Sequence, residues 1–386
     1  MKRKVCIVTG TRAEWGLLSG IAQQLKVRDD VELQIVATNM HLDHRYGHTI
    51  DDIISQGFEI SACVPMMVED DSTYSTVKAM AKCLDGMADT FFKLTPDVIV
   101  ILGDRYEMLS VASAATVMRI PIIHLHGGEI SEGAIDDRIR HAITKLSSLH
   151  LTATEEYRNR VIQMGELPES VINAGAVGVY NVVHIEPMSI QELNASLDFE
   201  VIPGTLLVTY HPVTLDDEDV SVRCGALLKA LDAFPQNKVI ITYPNNDAKG
   251  RVIIDMIEDY ASRNKERVLV KPSLGLFRYI SALHYVSAVV GNSSSGIIEV
   301  PSMGIPTVNI GIRQQGRMAS KSVINCGDEC EDIVNAIKFA LSDDGKRLAK
   351  QSTNPYCKDN TLQLIVDAIA TTPLEKLRHK SFYDLK

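Results

Sequence analysis

Carboxylates and imidazoles follow two predicted strands in the N-terminal half, where each strand gives way to a turn. Asp104 comes shortly after the apolar run 98–102, and His126 and Glu129 follow the apolar run 120–124. A carboxylate or imidazole in this position can act as a general base or bind a substrate hydroxyl. The alternative for Asp104 is an N-cap of the following helix.

The next predicted helix, 136–146, begins with acidic residues and an arginine at helical spacing. Asp136 and Arg140 are four residues apart and therefore share a helix face. So many ionisable groups around Gly127 and Gly128 exceed what a solvated loop requires, and we interpret the segment as functional. Two carboxylates in one enclosed site can differ in pKa, so that one acts as base and the other as acid.

A serine-rich turn in the C-terminal half is suited to a diphosphate. Ser293 and Ser294 follow an apolar run and precede a short predicted helix. Small residues let the backbone approach a ligand, and hydroxyls and helix-start N–H groups bind phosphate. Glu299 is then placed to accept ribose hydroxyls, and Arg313, after the predicted strand 307–310, supplies a cation. The alternative is a serine-rich helix cap with no ligand.

Two further turns are open to two interpretations. The Gly10-Thr11-Arg12 turn after the first predicted strand offers N–H groups and a fixed cation, but it equally fits a routine strand–helix turn. His211, in His211-Pro212-Val213-Thr214, directly follows a predicted strand. It fits a general acid that protonates a leaving group, or a buried, hydrogen-bonded imidazole.

Histidines with carboxylates also raise the possibility of a metal site. Because alternate strand residues share a face, His124 is expected to point the same way as His126. A second group follows the second predicted strand, with members His41, Asp43, His44 and His48. Neither has the His-Glu-x-x-His spacing of a zinc helix, so we expect no metal and no cofactor. A metallohydrolase is the minority alternative.

Composition excludes several classes of function. The 386 residues carry a net charge of −10, which disfavours nucleic acid as a partner. No apolar run approaches the length that spans a membrane, and the start of the chain lacks a signal-peptide pattern. The seven scattered cysteines form no Cys-x-x-Cys pair and indicate free thiols. We therefore expect a cytoplasmic protein without nucleic-acid or membrane partners.

Short β-branched runs alternate with amphipathic stretches along the whole chain, which predicts an α/β fold with two doubly wound parallel sheets. Expected strands are 5–8, 33–37, 98–102, 120–124, 205–210, 239–243, 267–270, 287–290 and 307–310. Expected helices are 17–25, 76–94, 107–118, 136–146, 222–234, 249–264, 276–285 and 358–370. The segment 174–203 lacks a sheet pattern, so the domain junction is placed near its start.

The predicted domains are residues 1–175 with the catalytic carboxylates, 176–357 with the nucleotide site, and a C-terminal helix and tail, 358–386, packing back on the first domain. Ligands of open α/β sheets lie beyond the carboxyl ends of the strands. Two such sheets facing each other would form a central cleft.

In the residues above, the sequence resembles the UDP-N-acetylglucosamine 2-epimerases, specifically the hydrolysing branch of bacterial sialic-acid synthesis. The motifs occur in order across most of the chain: Gly-Thr-Arg-Ala-Glu at 10–14, Gly-Asp-Arg at 103–105, His-Leu-His-Gly-Gly-Glu at 124–129, Asp-Asp at 136–137, Ile-Arg-His-Ala-Ile-Thr-Lys at 139–145, His-Pro-Val-Thr at 211–214, Gly-Asn-Ser-Ser at 291–294 with Gly296 and Glu299, and Asn-Ile-Gly at 309–311 with Arg313, Gln314, Gly316 and Arg317.

This resemblance implies the GT-B fold, two Rossmann-like domains around a cleft, and hydrolysis of UDP-N-acetylglucosamine to UDP and N-acetylmannosamine. It also implies a homodimer or homotetramer that contacts its copies through first-domain helices. The residues implied as catalytic are Asp104, Asp136, Arg140 and His211. Those implied to bind UDP are Arg12, Arg105, Ser293, Ser294, Glu299 and Arg313, with His41 on the sugar side.

One position departs from the family pattern. Many relatives have a glutamate where this chain has His126, so either His126 takes over the proton transfer or the nearby Glu129 does. A close subgroup acts on UDP-linked 2,4-diacetamido-2,4,6-trideoxy sugars of the legionaminic-acid route, which is the alternative substrate.

The chemistry of inversion at C-2 favours elimination. The C-2 hydrogen has no adjacent carbonyl, and no Gly-x-Gly-x-x-Gly segment provides an NAD site for a neighbouring oxidation. Elimination of UDP to a glycal, followed by addition of water, needs only a base near C-2 and stabilised charge on UDP. A GT-B glycosyltransferase, or a sensor that binds the nucleotide sugar without reaction, are the remaining alternatives.

Overall fold

The computed structural model describes residues 2–68, 70, 72–213, 219–245, 247 and 249–385. The chain divides into two compact units. The first comprises Met1–Glu129, Asp136–Tyr180 and Lys358–Lys386, and the second comprises Ile130–Ile135 and Asn181–Cys357. The roles attached to the predicted domains stay predictions.

The first unit is built on a parallel sheet with strand order β3-β2-β1-β4-β5-β6-β7. Its strands are β1 (Arg3–Thr9), β2 (Val31–Thr38), β3 (Ala62–Val64), β4 (Val98–Leu102), β5 (Ile122–Leu125), β6 (Leu149–Thr152) and β7 (Val171–Asn173). The helices among them are α1 (Arg12–Lys26), α2 (Ile50–Ser55), α3 (Thr73–Leu94), α4 (Tyr106–Val117), α5 (Asp136–Leu146), α6 (Glu155–Gln163) and α7 (Val177–His184), whose last turn lies in the second unit.

The second unit repeats the scheme with strand order β10-β9-β8-β11-β12-β13. Its strands are β8 (Leu206–Thr209), β9 (Val239–Thr242), β10 (Val268–Lys271), β11 (Ala288–Gly291), β12 (Thr307–Ile310) and β13 (Val323–Cys326). Its helices are α8 (Ile190–Leu197), α9 (Val220–Asp232), α10 (Gly250–Arg263), α11 (Gly275–Tyr285), α12 (Ser295–Ile298), α13 (Cys330–Leu341) and α14 (Asp343–Gln351). The chain then returns to the first unit as α15 (Thr361–Thr371) and α16 (Leu374–Arg378).

Burial on both faces explains why the strands read as continuous apolar runs. In β1, Val5 and Ile7 pack into a core shared with α1 and α15, whereas Cys6 and Val8 pack into a core shared with α3 and α4. Arg3 fixes the returning helix by donating to the carbonyls of Ile369 at 2.7 Å and Thr372 at 2.6 Å. Helices therefore cover both sides of the first sheet, as a parallel sheet requires.

All the predicted strands and helices are present, with ends shifted by a few residues. Strand β4 and helix α5 have the predicted bounds, whereas α1 begins five residues before the predicted helix 17–25. The segment 174–203 contains α7 and α8 and no strand. Within the described ranges, no helix combines the length and apolarity needed to cross a membrane.

The order of strands places the candidate residues at the switch point of each sheet. In the first, β1 and β4 are neighbours whose connections run to opposite sides, and the Gly10 turn and Asp104 follow them. In the second, β8 and β11 are the corresponding pair, followed by His211 and Asn292. Ligands bind at such positions in open α/β sheets.

Candidate active site

Asp104 contacts Arg140, which the family resemblance also implies to be catalytic. Helix α4 begins at Tyr106, and its cap position is Arg105, without a side-chain cap bond, so the N-cap alternative for Asp104 is wrong. The Asp104 carboxylate instead forms an ion pair with Nη2 of Arg140 on α5. Because the Arg140 side chain is only 1% exposed, its charge needs this carboxylate nearby.

Arg140 also forms a hydrogen bond with the turn that follows β5. Its Nη1 donates to the carbonyl of Glu129 at 2.8 Å and to Oδ1 of Asp137 at 3.2 Å. Asp136 is the first residue of the same helix and is half-buried, one turn before Arg140. The structure therefore brings Asp104, Glu129 and Arg140 together, with Asp136 on the adjoining helical turn.

His126 and Glu129 form a buried pair. Nδ1 of His126 lies 2.7 Å from Oε1 of Glu129, and both side chains are at most 10% exposed. Nε2 of His126 is buried and has no hydrogen-bond partner within the described part of the chain. A carboxylate that binds one imidazole nitrogen orients the ring and supports proton transfer at the other nitrogen.

His124 has different partners from His126. Strand β5 ends at Leu125 and His126 has φ +64°, so the strand alternation used to place the two imidazoles on one face does not extend to His126. Nε2 of His124 lies 2.7 Å from the carbonyl of Gly103, and Nδ1 lies 3.2 Å from Oγ1 of Thr144. Burial lowers the pKa of His124 to about 3, so the ring is neutral and joins β4 to α5.

The Gly10 turn is capped within the first unit. The Glu14 carboxylate accepts from the N–H groups of Gly10 at 2.7 Å and Thr11 at 3.2 Å, while Oγ1 of Thr11 accepts from Glu14 N–H. This capping box occupies the N–H groups that were predicted to be available to a phosphate. Arg12 itself is paired with Asp52 at 2.6 Å and keeps a partly exposed side chain.

The other two first-unit candidates are buried. His41 lies 3.0 Å from Oγ1 of Thr9 and 2.7 Å from Oγ1 of Thr49, and burial lowers its pKa to about 4. Nε of Arg105 lies 3.0 Å from Oε1 of Glu107, a carboxylate with no exposure. The binding roles of these two residues stay predictions.

Glu14 and Glu107 are buried acids that the sequence analysis did not single out. Burial, followed by the charge of Glu107, raises the pKa of Glu14 to about 8. An ideal Cβ on Gly10 would lie 2.6 Å from Oε1 of Glu107, so a larger residue there would displace this carboxyl. The Thr-x-x-Glu spacing at 11–14 was the available signal for Glu14.

Replacing Glu14 with Gln should change the pH dependence of stability. A carboxyl with a folded pKa near 8 and an unfolded pKa near 4.5 binds more protons when folded, so the free energy of unfolding falls as pH rises between these values. We expect Glu14→Gln to be more favourable relative to wild type at pH 8 than at pH 4.5. Urea unfolding of both proteins at the two pH values measures this, and an equal difference at both would contradict the assignment.

In the second unit, Asn292 holds His211 by two backbone bonds. Oδ1 of Asn292 accepts from His211 N–H at 2.7 Å, and Nδ2 donates to the His211 carbonyl at 2.8 Å. The N–H of Asn245 donates to Nδ1 of His211 at 3.3 Å. This contact and the two bonds from Asn292 hold the imidazole and its backbone in place. Thr214 lies outside the described residues.

The carbonyl of Asn292 also orients Arg313, the cation that is predicted to bind phosphate. It accepts from Nη1 of Arg313 at 3.1 Å and from Nε2 of Gln314 at 2.9 Å. Residues 130–135 belong to this unit and support the loop: Glu132 N–H donates to the Gln315 carbonyl at 3.2 Å, and a Cβ on Gly133 would lie 2.8 Å from Cα of Arg313. Nε of Arg313 is buried without a partner among the described residues, so it keeps an unused donor.

The serine-rich turn has unused donors as well. Ser293 and Ser294 are half-buried, and in the described ranges their backbone N–H groups donate to no protein acceptor. The preceding Gly291 has φ +136°, and a Cβ there would lie 1.9 Å from the Thr209 carbonyl, so only glycine fits. Glu299 follows α12 and is buried. The turn therefore collects hydroxyl and N–H donors near Arg313, as a diphosphate requires.

Other partners occupy several side chains of the metal alternative. Asp43 pairs with Arg45, His48 with Asp51, and the rings of His44 and His48 stack at 4.4 Å. Both nitrogens of His41 and of His124 are engaged in hydrogen bonds. Among the residues the structure describes, no three His, Cys, Asp or Glu residues lie so that they could hold a metal ion.

Comparison with known proteins relates the whole chain to one group of enzymes. A family model described as UDP-N-acetylglucosamine 2-epimerase matches residues 23–370. The chain is 37% identical over 385 residues, 100% of each chain, to the GDP/UDP-N,N'-diacetylbacillosamine 2-epimerase (hydrolyzing) of Campylobacter jejuni. It is 37% identical to the polysialic acid biosynthesis protein P7 of Escherichia coli, covering 99% of this chain and 98% of the relative.

A third relative and a solved structure agree with this. The UDP-N-acetylglucosamine 2-epimerase of Neisseria meningitidis is 30% identical over 89% of this chain and 88% of its own. The crystal structure of the Neisseria meningitidis UDP-GlcNAc 2-epimerase bound to UDP-GlcNAc superposes with a TM-score of 0.77 at 16% identity, covering 95% of this chain and 99% of that one. The structural likeness confirms the predicted GT-B-type fold of two Rossmann-like domains.

Proposed function

Because the chain belongs to the UDP-N-acetylglucosamine 2-epimerase family, we propose that it is a hydrolysing 2-epimerase that converts UDP-N-acetylglucosamine and water to N-acetylmannosamine and UDP, for sialic-acid synthesis. The observation that carries this proposal is a group of contacting residues in the first unit, in which Arg140 joins Asp104 to the carbonyl of Glu129 and Glu129 binds His126. Two proton-transfer groups, a carboxylate and an oriented imidazole, stand there together.

Inversion at C-2 explains why two such groups are needed. In the first step a base removes the C-2 proton while the C-1–oxygen bond to UDP breaks, which leaves a C-1=C-2 double bond in a glycal. In the second step water adds its hydroxyl at C-1, and C-2 takes a proton on the opposite face. Removal from one face and delivery to the other require two groups, and we assign them to Asp104 and His126.

Departure of UDP requires stabilised negative charge. We assign protonation of the departing phosphate to His211, whose Nδ1 accepts from the Asn245 N–H. The buried Nε of Arg313 and the N–H groups of Ser293 and Ser294 provide further donors for the diphosphate. On the family resemblance, Asp136 is proposed as a further catalytic carboxylate. Arg12, Arg105, Glu299 and His41 are proposed to bind the substrate.

Product analysis tests the proposal. Purified protein is incubated with UDP-N-acetylglucosamine and no acceptor, and the products are read by NMR. Free N-acetylmannosamine with stoichiometric UDP supports the hydrolysing epimerase. Intact nucleotide sugar would indicate a binding protein, release only on addition of a sugar acceptor would indicate a glycosyltransferase, and activity lost in chelator and restored by zinc or manganese would indicate a metallohydrolase.

A second substrate is favoured by specific relatives. Two of them, from Campylobacter jejuni and Legionella pneumophila, are named for N,N'-diacetylbacillosamine and are 37% and 35% identical to this chain. The reaction would be the same, with a 4-acetamido and a 6-deoxy group on the sugar. Running both UDP sugars in parallel and comparing kcat/KM decides the substrate, since the preferred one has the higher value.

Removing the two serine hydroxyls should weaken nucleotide binding. A hydrogen bond to a charged group contributes about 1.5–3 kcal/mol, so we expect Ser293→Ala with Ser294→Ala to raise the Kd of UDP by roughly tenfold or more. Calorimetry with UDP measures this. Ser302→Ala, elsewhere in the second unit, is the matched control, and an unchanged Kd in the double variant would count against the turn as the diphosphate site.

We also propose that the protein is a homodimer joined through α3. This helix buries Ala79, Cys83 and Met87 in the core that it shares with α4. Its opposite side exposes a second apolar stripe at three- and four-residue spacing: Tyr74, Val77, Ala81, Leu84 and Ala88. Such spacing is that of helix-pairing seams. Light scattering should give twice the chain mass for wild type and the monomer mass for Leu84→Glu; a wild-type monomer would contradict the proposal.

The cellular location is proposed as cytoplasmic. The seven cysteines are all free, including the exposed Cys63 and Cys357, which suits a reducing compartment. Fractionation of cells that express the chain tests this directly, and recovery outside the cytoplasmic fraction would contradict it.

A further inference from the structure

The C-terminal tail after α16 is bonded to the far end of α5. Nζ of Lys380 donates to the carbonyl of Ser147 at 2.6 Å and lies 2.7 Å from Oε2 of Glu166. Three residues later, Tyr383 N–H donates to the carbonyl of Gly165 at 2.9 Å. The tail is therefore held at two points to segments of the first unit that precede it by more than two hundred residues.

Glu166 is the centre of this attachment. It is 1% exposed, and its carboxylate binds Nζ of Lys145 at 2.5 Å and Nε2 of His150 at 3.0 Å in addition to Lys380. Burial alone would raise the pKa of Glu166, but hydrogen bonds from His150, Lys145 and Lys380 outweigh it and lower the pKa to about 2. A buried charge of this kind is strongly destabilised when a partner is removed.

An aromatic contact fixes the tail further. The ring of Phe382 lies so close to Gly165 that a Cβ there would be 2.5 Å from the ring, and Nζ of Lys145 lies 4.9 Å from the ring centre. Gly165 has φ +91°, which favours glycine independently. The tail thus contacts this region through a charge, a backbone bond and a ring.

The attachment continues to the candidate catalytic groups through α5. Lys145 is in the last turn of this helix, and Lys380 also approaches the carbonyl of Thr144 at 3.4 Å. Oγ1 of Thr144 bonds His124, whose other nitrogen bonds the Gly103 carbonyl, next to Asp104. The same helix begins at Asp136 and carries Arg140. Its C-terminal end is therefore bonded to the tail, and its N-terminal half carries Arg140, which is paired with Asp104.

We propose that the C-terminal tail positions α5, with Lys380 acting as a positioning residue for Arg140 and Asp104. This inference rests on the proposed function, since it assigns the tail a part in turnover. Small displacements of groups that hold reacting atoms cost up to about a hundredfold in rate. Loss of the Lys380 bonds should therefore lower kcat and leave the nucleotide site of the second unit unchanged.

The experiment compares Lys380→Met, Lys380→Arg and the matched control Lys376→Met, an exposed lysine of α16. We expect Lys380→Met to lower kcat roughly tenfold to a hundredfold, with KM and the Kd of UDP unchanged, and to speed hydrogen exchange at the amides of α5. Lys380→Arg, which keeps the charge, should restore most of kcat, and Lys376→Met should match wild type. A purely structural role would lower the unfolding temperature of Lys380→Met without this separation of kcat from KM.

Two outcomes contradict the proposal: unchanged exchange at α5 in Lys380→Met, or faster exchange with unchanged kcat. If wild type has no turnover, the proposed function fails, and exchange at α5 still decides whether the tail orders the helix. If Lys380→Met does not fold, Phe382→Ala, which leaves the ion pairs in place, is measured instead. An unchanged kcat and unchanged exchange in Phe382→Ala would then refute the positioning role.

Discussion

Asp104→Asn should lower kcat by about 10²–10⁴-fold while the Kd of UDP stays unchanged. The substitution keeps the size of the side chain and removes the carboxylate that is paired with Arg140. Asparagine can neither remove nor deliver the proton at C-2, so one of the two proton transfers loses its group. Single-turnover kinetics measure the chemical step, and calorimetry with UDP measures binding.

Asp137→Asn is the matched control for Asp104→Asn. Asp137 also binds Arg140, at 3.2 Å, so its loss removes a partner of the same guanidinium without removing the proposed proton-transfer group. We expect a much smaller fall in kcat. Equal losses in the two variants would show that Asp104 acts only through Arg140, and near-normal turnover in Asp104→Asn would refute its role altogether.

His126→Asn should also lower kcat by about 10²–10⁴-fold, because it removes the imidazole whose Nε2 is buried without a protein partner among the described residues. If Glu129 serves the reaction by orienting this ring, its loss adds little once the ring is absent. We therefore expect the double variant His126→Asn with Glu129→Gln to turn over at nearly the rate of His126→Asn alone, because residues acting as a unit are non-additive.

Comparing the two single variants also shows which residue transfers the proton, His126 or Glu129. If Glu129 transfers the proton and His126 supports it, Glu129→Gln alone should be at least as damaging as His126→Asn. If His126 transfers the proton, His126→Asn should be the more damaging of the two. If the kcat losses of the two single variants multiply in the double variant, the two residues do not act as a unit. Thermal unfolding of each variant checks that the buried pair has not been lost through misfolding.

The sequence is most informative where strands are long and buried on both faces. Runs such as Val98–Leu102 predict their strand without error, because a parallel sheet covered by helices admits apolar residues at every position. The residues that follow these runs are predicted as site residues for a related reason, since ligands bind beyond the strand ends. Three-residue strands such as β3 and β7 carry too short a pattern to be recognised.

Contacts between distant residues are outside what local patterns predict. Asp104 and Arg140 are 36 positions apart, and Asn292 and His211 are 81 positions apart. Only the order of strands brings each pair together. The departure of His126 from the strand is equally hidden, because a histidine with φ +64° has no marker in sequence comparable to glycine.

The burial of acidic side chains is a second feature that the sequence does not predict. Glu107 lies in the first turn of a helix, where acidic residues are common on the surface, and nothing in its neighbours indicates that it has no exposure. Glu166 similarly precedes a turn that contains a proline, and this pattern would predict an exposed side chain. Burial of these carboxylates follows from the lysine, arginine and histidine partners that the fold supplies.

Elimination across C-1 and C-2 is the central claim, and incubation of the wild-type enzyme with its UDP sugar in heavy water tests it most directly. NMR and mass spectrometry of the first-formed product show which hydrogen occupies C-2. Elimination and rehydration predict one deuterium at C-2 of the released, inverted sugar. Retention of the original protium at C-2 would contradict the account, because no base could then have removed that hydrogen to solvent.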